Sequence, residues 1–243
     1  MILSATIGRT PMTAAAVWTA LGGRSLRAEA AAVEQLLDSG DLEGARVRLR
    51  SLCGRDAGSL GPVEIRRAVI ESLAENTADA VVGPLLWGAL LGAPGAAMYR
   101  AANTLDAMWG HRDDRHREFG WAAARLDDLL NLPVSRLTAL LAVALAPAVG
   151  GDPARALDLW LEEGGHHPSP NAGQPEAAFA GALDVRLGGP LAYAGLAETR
   201  PVLNAERGHE ADGEDLRRAI RLSELVGAAA AVTSAAVAWR LER

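Results

Sequence analysis

The 243-residue sequence contains no lysine, so every fixed positive side chain is an arginine. That absence excludes a lysine Schiff base and the phosphate loop built around an ammonium group. Cysteine occurs once, at Cys53, which rules out an internal disulfide framework and a cysteine-rich metal centre; Cys53 reads as a small packing residue. Aromatic residues make up 4% of the chain although 49% of it is hydrophobic, much of that alanine, leucine and valine. Those side chains suit helices, and the β-branched and aromatic alternation of strands is hard to find. A net charge of -6 and a pI near 5.4 argue against the basic face of a nucleic-acid binder. No apolar run reaches the roughly 20 strongly apolar residues of an ideal membrane span. The best runs, 81–97, 137–149 and 225–239, fit short membrane segments or buried core helices, and the mean hydropathy of +0.08 does not choose. Residues 1–21 carry Arg9 and Pro11 within a weakly apolar stretch and lack the layout of a secretory signal.

What is present is a series of punctuated helices. Residues 1–23 read as one apolar helix interrupted near Pro11. An amphipathic helix follows over 25–37, with Leu26, Ala30, Val33 and Leu37 on one stripe. A turn at 38–41 lets Asp41 cap a helix over 42–52, and the pair reads as a water-exposed hairpin. Pro62 sits well at the start of a helix over 63–76. Gly83-Pro84 and residues 92–95 punctuate the apolar region beyond it. Further helices are expected at 96–108 and 120–130, with a charged loop at 111–118 between them. Another runs from Asp152-Pro153 to Gly164, a loop occupies 166–175, and a last helix covers 212–239. With no repeats or heptads, residues 1–243 read as a single all-α domain.

Four polar clusters lie beside apolar, small-residue segments. In the first, Glu71 and Glu75 are one helical turn apart, Asp79 continues the line if the helix persists, and Arg67 precedes Glu71 by four. Stacked carboxylates leading into an apolar stretch suit a divalent cation such as magnesium. An exposed helix face with an ion pair has the same spacing. In the second, Arg100, Asn103 and Asp106 share a face, and together a guanidinium, an amide and a carboxylate can grip a phosphate and its metal. A polar stripe between helices is the competing reading. The third sets Arg125 against Asp128; the adjacent Asp127 and Asp128 are not expected to point the same way, so one of them is structural. The fourth is the loop 166–171, in which prolines stiffen the presentation of Ser169 and Asn171, followed by Glu176 and Gly188-Gly189-Pro190. The adjacent His166 and His167 suggest metal, but no second histidine cluster exists at helical spacing. His111, His116 and His209 are scattered among charges and read as solvated, so zinc is not expected. No nucleophilic triad, zincin motif or dinucleotide fingerprint occurs.

The motifs ESLAENTAD (71–79), NTLDAM (103–108) and FGWAAARLDD (119–128) stand in that order. Ser169 to Asn171 with Glu176, AGAL (180–183) and LGGP (187–190) follow. Over residues 22–239 this series resembles the CobD/CbiB family. The resemblance implies a polytopic helical membrane protein of the cell membrane, with short Ala-rich spans and amphipathic helices. It also implies cobalamin biosynthesis by ATP- and Mg2+-dependent amide formation. The reaction joins adenosylcobyric acid, a corrinoid, to (R)-1-amino-2-propanol or its O-phosphate, as an adenosylcobinamide-phosphate synthase does. On this resemblance Glu71, Glu75, Asp79, Asp106 and Asp128 are candidates for catalysis, with Glu75 and Asp79 as magnesium ligands. Asn76, Thr77, Arg100, Asn103, Thr104, Arg125, Ser169, Asn171 and Glu176 are candidates for binding phosphate or substrate. The lipid bilayer and other late cobalamin-pathway enzymes are the expected partners, and nucleic acid is not.

The chain also departs from the family pattern. The apolar helices and acidic-proline motif usual before the position of Met1 are not seen, as in a shortened form or a late start. Arg100 replaces a lysine, keeping charge but changing hydrogen-bond geometry. His111 stands where tyrosine is common and Ala80 where glycine is common. Two other readings share the residues: a non-catalytic corrinoid-binding membrane scaffold, which would not consume ATP in step with amide formation, and a soluble helical bundle, which a carbonate wash would release.

Overall fold

Helix starts follow the punctuation of the sequence. The computed structural model describes residues 8–54, 56–109, 117–193 and 196–241. Helix α1 spans Arg9–Ala20, with Pro11 in its first turn, and α2 spans Gly23–Asp38. The Asp41 carboxylate accepts a 2.8 Å bond from the Gly44 amide and so caps α3, Leu42–Leu49. Pro62 opens α4, Pro62–Thr77, and the Glu64 side chain reaches back to the Gly61 amide at 2.9 Å. α4 passes through one π-helical turn, Ala78–Val82, into α5, Gly83–Leu91. The Ala80 carbonyl within that turn accepts the Gly22 amide at 2.9 Å, tying the α1–α2 junction to it. Helix α6 is Ala93–Trp109 and α7 is Arg117–Leu145, followed by a 3-10 turn at Ala146–Val149. Asp152 caps α8, Pro153–Glu163, by accepting from the Ala154 amide at 2.9 Å. Helix α9 is Gly173–Leu183 and α10 is Gly213–Leu241.

Several expectations are corrected. The fold is mostly helical but not wholly so: β1 (Leu187–Tyr193) and β2 (Leu196–Leu203) form an antiparallel hairpin, with Leu191 opposite Glu198. Its composition hides it, because β1 reads LGGPLAY and the glycines look like a turn. Gly188 and Gly189 sit at φ 83° and 87°, beside a register shift in the pairing, a conformation that glycine adopts without steric cost. The α2–α3 pair is not a solvated hairpin, since Ala30, Val33, Ala45 and Leu49 are all buried in the common core. Helix α7 runs 29 residues rather than 11, carrying Pro133 inside it. The break expected at 92–95 within the apolar run 81–97 is present, with α5 ending before Gly92 and α6 starting at Ala93. The charged loop expected at 111–118 falls mainly outside the described residues, as do His111 and His116.

Helix α10 is the central strut. Its stripe of Leu216, Ala219, Leu222, Val226 and Ala230 is buried, and it packs on α2, α4, α5 and α7. Helix α9 is alanine-rich and almost wholly buried between α8, α7 and α4, which draws the 166–172 loop onto α7. Two stretches, Gly120–Val149 and Gly213–Leu241, are long and apolar enough to cross a membrane by length and composition.

Candidate functional site

The π turn, α6, α7 and the loop before α9 enclose a cavity of about 250 Å3. Glu75 and Asp79 reach it from α4 and the π turn, Asp106 from α6, Asp127, Asp128, Asn131 and Ser135 from α7, and Ser169 and Asn171 from the loop. Three sequence clusters and the proline-stiffened loop thus meet on one space.

Neutral amides organise the acidic wall. Asn103 Nδ2 lies 3.3 Å from Asp79 Oδ2 and 3.4 Å from Asp127 Oδ1, bridging the two carboxylates. Asn131 Nδ2 donates to Asp127 Oδ2 at 3.0 Å, and the wholly buried Tyr99 hydroxyl donates to Asn131 Oδ1 at 2.7 Å. Asp79 sits deep among protein atoms but keeps some solvent contact through the cavity. Its burial, then the negative charges of Glu75 and Asp127, push its carboxyl well above the ordinary 3.8, although Asn103 acts in the opposite sense.

The loop wall offers donors. Ser169 Oγ accepts from the Asn171 and Ala172 amides at 3.3 and 3.2 Å, and His167 Nδ1 accepts from the Ser169 amide at 2.9 Å. The adjacent histidines therefore include one that shapes the loop. Asn171 Nδ2 donates to the Asp128 carbonyl at 2.8 Å, and its Oδ1 receives Ser135 Oγ at 3.1 Å and Arg136 at 3.0 Å.

Other candidates lie elsewhere. Glu71 is buried under the hairpin, where its Oε1 accepts the Gly188 amide at 2.6 Å and faces Arg67 at 4.0 Å. An α-helix advances about 40° for every four residues, so Glu71 and Asp79 already diverge by about 80°. Thr77 Oγ1 meets Ser223 Oγ at 2.7 Å between α4 and α10, and Asn76 Nδ2 bonds back to the Ser72 carbonyl at 2.9 Å. Glu176 is buried within α9. Arg100 and Thr104 line a separate shallow groove between α1 and α6, although Arg100 touches Asn103 Oδ1 at 3.3 Å. Arg125 is exposed and pairs with Asp128 Oδ2 at 3.5 Å.

Contrary to the expectation that one aspartate of the 127–128 pair is only structural, both line the cavity: Asp127 inside, Asp128 at the edge towards Arg125. Asp127, Asn131 and Ser135 are spaced by four along α7, and reading that stripe beyond Asp128 would have found the last two. Tyr99 gave no local signal, because its partner Asn131 lies 32 positions away.

The magnesium expectation can be tested against the donor set. Among the described residues no three acidic, histidine or cysteine side chains converge on one ion position. Magnesium, however, commonly uses one or two carboxylates and completes its shell with water and phosphate oxygens, which Glu75 and Asp79 on a water-accessible wall would allow.

The sequence model of the family described as "CobD/Cbib protein" matches residues 1–223. A protein of Mycobacterium tuberculosis (strain ATCC 25618 / H37Rv) named "Cobalamin biosynthesis protein CobD" is 52% identical over 228 residues, covering 94% of this chain and 72% of its own length. Proteins of the same name from Pelobacter propionicus and Rhodobacter capsulatus are 44% and 49% identical over 90% and 77% of this chain, and 68% and 58% of their own lengths. No solved structure matches.

Proposed function

This chain belongs to the CobD/CbiB family of cobalamin-biosynthesis proteins, and from that premise we propose that it is an amide ligase. The reaction activates a propionate carboxyl of adenosylcobyric acid with ATP and joins it to 1-amino-2-propanol or its O-phosphate. The observation that carries the reading is the single cavity shared by Glu75, Asp79, Asp106, Asp127, Asp128, Ser169 and Asn171. Its volume of about 250 Å3 suits a small amine; a corrinoid is far larger and would meet the cavity from outside.

Glu75 and Asp79 would hold magnesium, and magnesium bound with ATP would offset the charge on the transferring phosphoryl group. Asp106 and Asp127, which line the cavity, would orient the amine and take up its proton, with Asn103 and Asn131 holding the Asp127 carboxylate. Ser169 and Asn171 would hold the acyl or phosphate oxygens from the opposite wall.

The same proposal sets the chain across a membrane in several passes. Gly120–Val149 and Gly213–Leu241 supply two spans, and Leu129, Leu140 and Val232 expose apolar side chains along them. Trp121 and Trp239 stand exposed near helix ends, where indole rings favour the lipid–water boundary.

The decisive experiment supplies the purified full chain with adenosylcobyric acid, ATP, magnesium and either amine, and follows ADP or AMP release with corrinoid amide. Stoichiometric nucleotide cleavage and amide formation support the ligase. Tight corrinoid binding without nucleotide cleavage would replace it with a scaffold.

A further inference from the structure

Helix α4, the π turn Ala78–Val82 and α5 form one continuous helical run. Ala78, Val82 and Gly83 all keep right-handed helical backbone angles, so the chain widens there without stopping. The Gly83 amide accordingly donates to the Ala78 carbonyl, five residues back rather than four. The next residue is the buried Pro84. In an unbroken α-helix its nitrogen would serve the Ala80 carbonyl, but proline has no N–H and its ring collides with that carbonyl. Widening the turn just before Pro84 relieves the collision. The Ala80 carbonyl, left without its helical donor, accepts the Gly22 amide at 2.9 Å. A Cβ at Gly23 would stand 2.7 Å from Val81 Cγ2, so the α1–α2 junction closes tightly on the turn.

The turn bears directly on the acidic wall, because Asp79 is its second residue. An α-helix would carry Asp79 about 40° past Glu75, four residues earlier. A turn that holds more residues advances less with each one, and so brings the two carboxylates closer to one line. Both line the cavity, and Asp79 Oδ2 meets Asn103 Nδ2 at 3.3 Å.

We propose that Pro84 is a positioning residue for Asp79. It imposes the π turn that sets this carboxylate beside Glu75 and Asn103, and the Gly22 amide locks the turn by taking the carbonyl that Pro84 frees. Pro84 does not itself line the cavity and acts through the backbone. The proposal rests on the reading of the cavity as the functional site, but not on magnesium or on the ligation step. The competing account is that Pro84 only starts α5, as proline does in the first turn of many helices.

The test compares the detergent-purified full chain with Pro84→Ala, which restores an amide at position 84. That amide can take the Ala80 carbonyl, and the turn should close to α-helical spacing. Hydrogen exchange followed by mass spectrometry in EDTA reports on the Gly22 amide, which should exchange several-fold faster in the variant. A double-mutant cycle between Asp79→Ala and Asn103→Ala, read from thermal unfolding, should show coupling in the wild-type background and lose it in the Pro84→Ala background. The Tm of Pro84→Ala itself should equal or exceed wild type, since alanine is the better helix former. Its magnesium-induced rise in Tm should largely disappear. Amide formation should fall about 10- to 100-fold, the scale of a misplacement of about 1 Å. An unchanged Gly22 exchange rate, a coupling that is absent in wild type or kept in the variant, or a lower Tm with activity intact would overturn the proposal. If Pro84→Ala does not fold, Pro84→Ser restores the same amide and carries the same measurements. A wild-type chain that neither responds to magnesium nor forms amide removes those readings of the cavity; exchange and coupling, measured without either, still decide the role of Pro84.

Discussion

Replacing Gly83 with alanine tests the packing that supports the acidic wall. A Cβ at position 83 would stand 2.1 Å from Tyr99 Cζ and 2.4 Å from its hydroxyl oxygen, well inside contact distance. Tyr99 is wholly buried, so its ring has no open space to enter. Overpacking of this kind costs about 1–3 kcal/mol. Displacing the hydroxyl from Asn131, 2.7 Å away, leaves buried polar atoms unpaired for about 1–3 kcal/mol more. Alanine returns about 1 kcal/mol of helix propensity. The balance is a loss of about 1–5 kcal/mol, or roughly 2–20 °C in Tm at 2–4 °C per kcal/mol for a chain of this size. Thermal unfolding of the purified protein, followed by tryptophan fluorescence, measures it. A double-mutant cycle sharpens the test: with Tyr99→Ala the obstacle is gone, so Gly83→Ala should cost little in that background. A Tm for Gly83→Ala equal to or above wild type, or costs that simply add in the double variant, would refute the reasoning.

Three further outcomes follow from the same geometry. Glu75→Gln should abolish amide formation while leaving the chain in the membrane fraction, and full activity in that variant would remove Glu75 from the site. Glu71→Gln should keep most activity, because an amide oxygen can still accept the Gly188 amide, whereas Glu71→Ala strands that buried donor and should cost about 1–3 kcal/mol in unfolding; loss of turnover in Glu71→Gln with unchanged stability would return Glu71 to catalysis. Asp79 retains its proton in the folded state at pH values where the unfolded chain has lost it, so the stability it contributes is present below its ordinary 3.8 and is lost as pH rises through its elevated folded value. Asp79→Asn should therefore be more stable at neutral pH, with a flatter pH dependence, and magnesium should raise the wild-type Tm but not that of the variant; parallel pH curves for the two proteins would contradict this.

Helix positions were largely readable because their signals are local. Asp41 and Asp152 cap the helices that follow them, Pro62 begins α4, and the Leu26, Ala30, Val33 stripe buries as its spacing requires. The candidate site was legible in part for the same reason, since Glu75 and Asp79, or Asn103 and Asp106, are neighbours within a turn. What could not be read depends on distant partners. Glu71 finds Gly188 from 117 positions away, and Thr77 finds Ser223 from 146, so side chains adjacent in the sequence separate into packing and cavity roles. The hairpin escaped because its glycines and prolines carry none of the usual strand chemistry, and its place is fixed from below by Glu71 and by Arg67 Nη2 on the Pro190 carbonyl.

The manner in which the acidic wall is held bears on what it can bind. Carboxylates crowded in a partly desolvated cavity repel one another, and a fold can answer with arginines or with neutral donors. Here Asn103 and Asn131 provide the hydrogen bonds to Asp79 and Asp127, while Arg125 stays at the exposed rim and Arg136 binds only neutral acceptors. Amides orient a carboxylate without adding a compensating charge, so the wall keeps a fixed geometry and Asp79 is left free to exchange its proton for a cation. A guanidinium in place of Asn103 would stabilise the empty protein at the expense of that exchange. Asn103→Arg should therefore resist unfolding at least as well as wild type at neutral pH while losing magnesium-dependent stabilisation, which separates a wall built to meet a cation from one that merely packs.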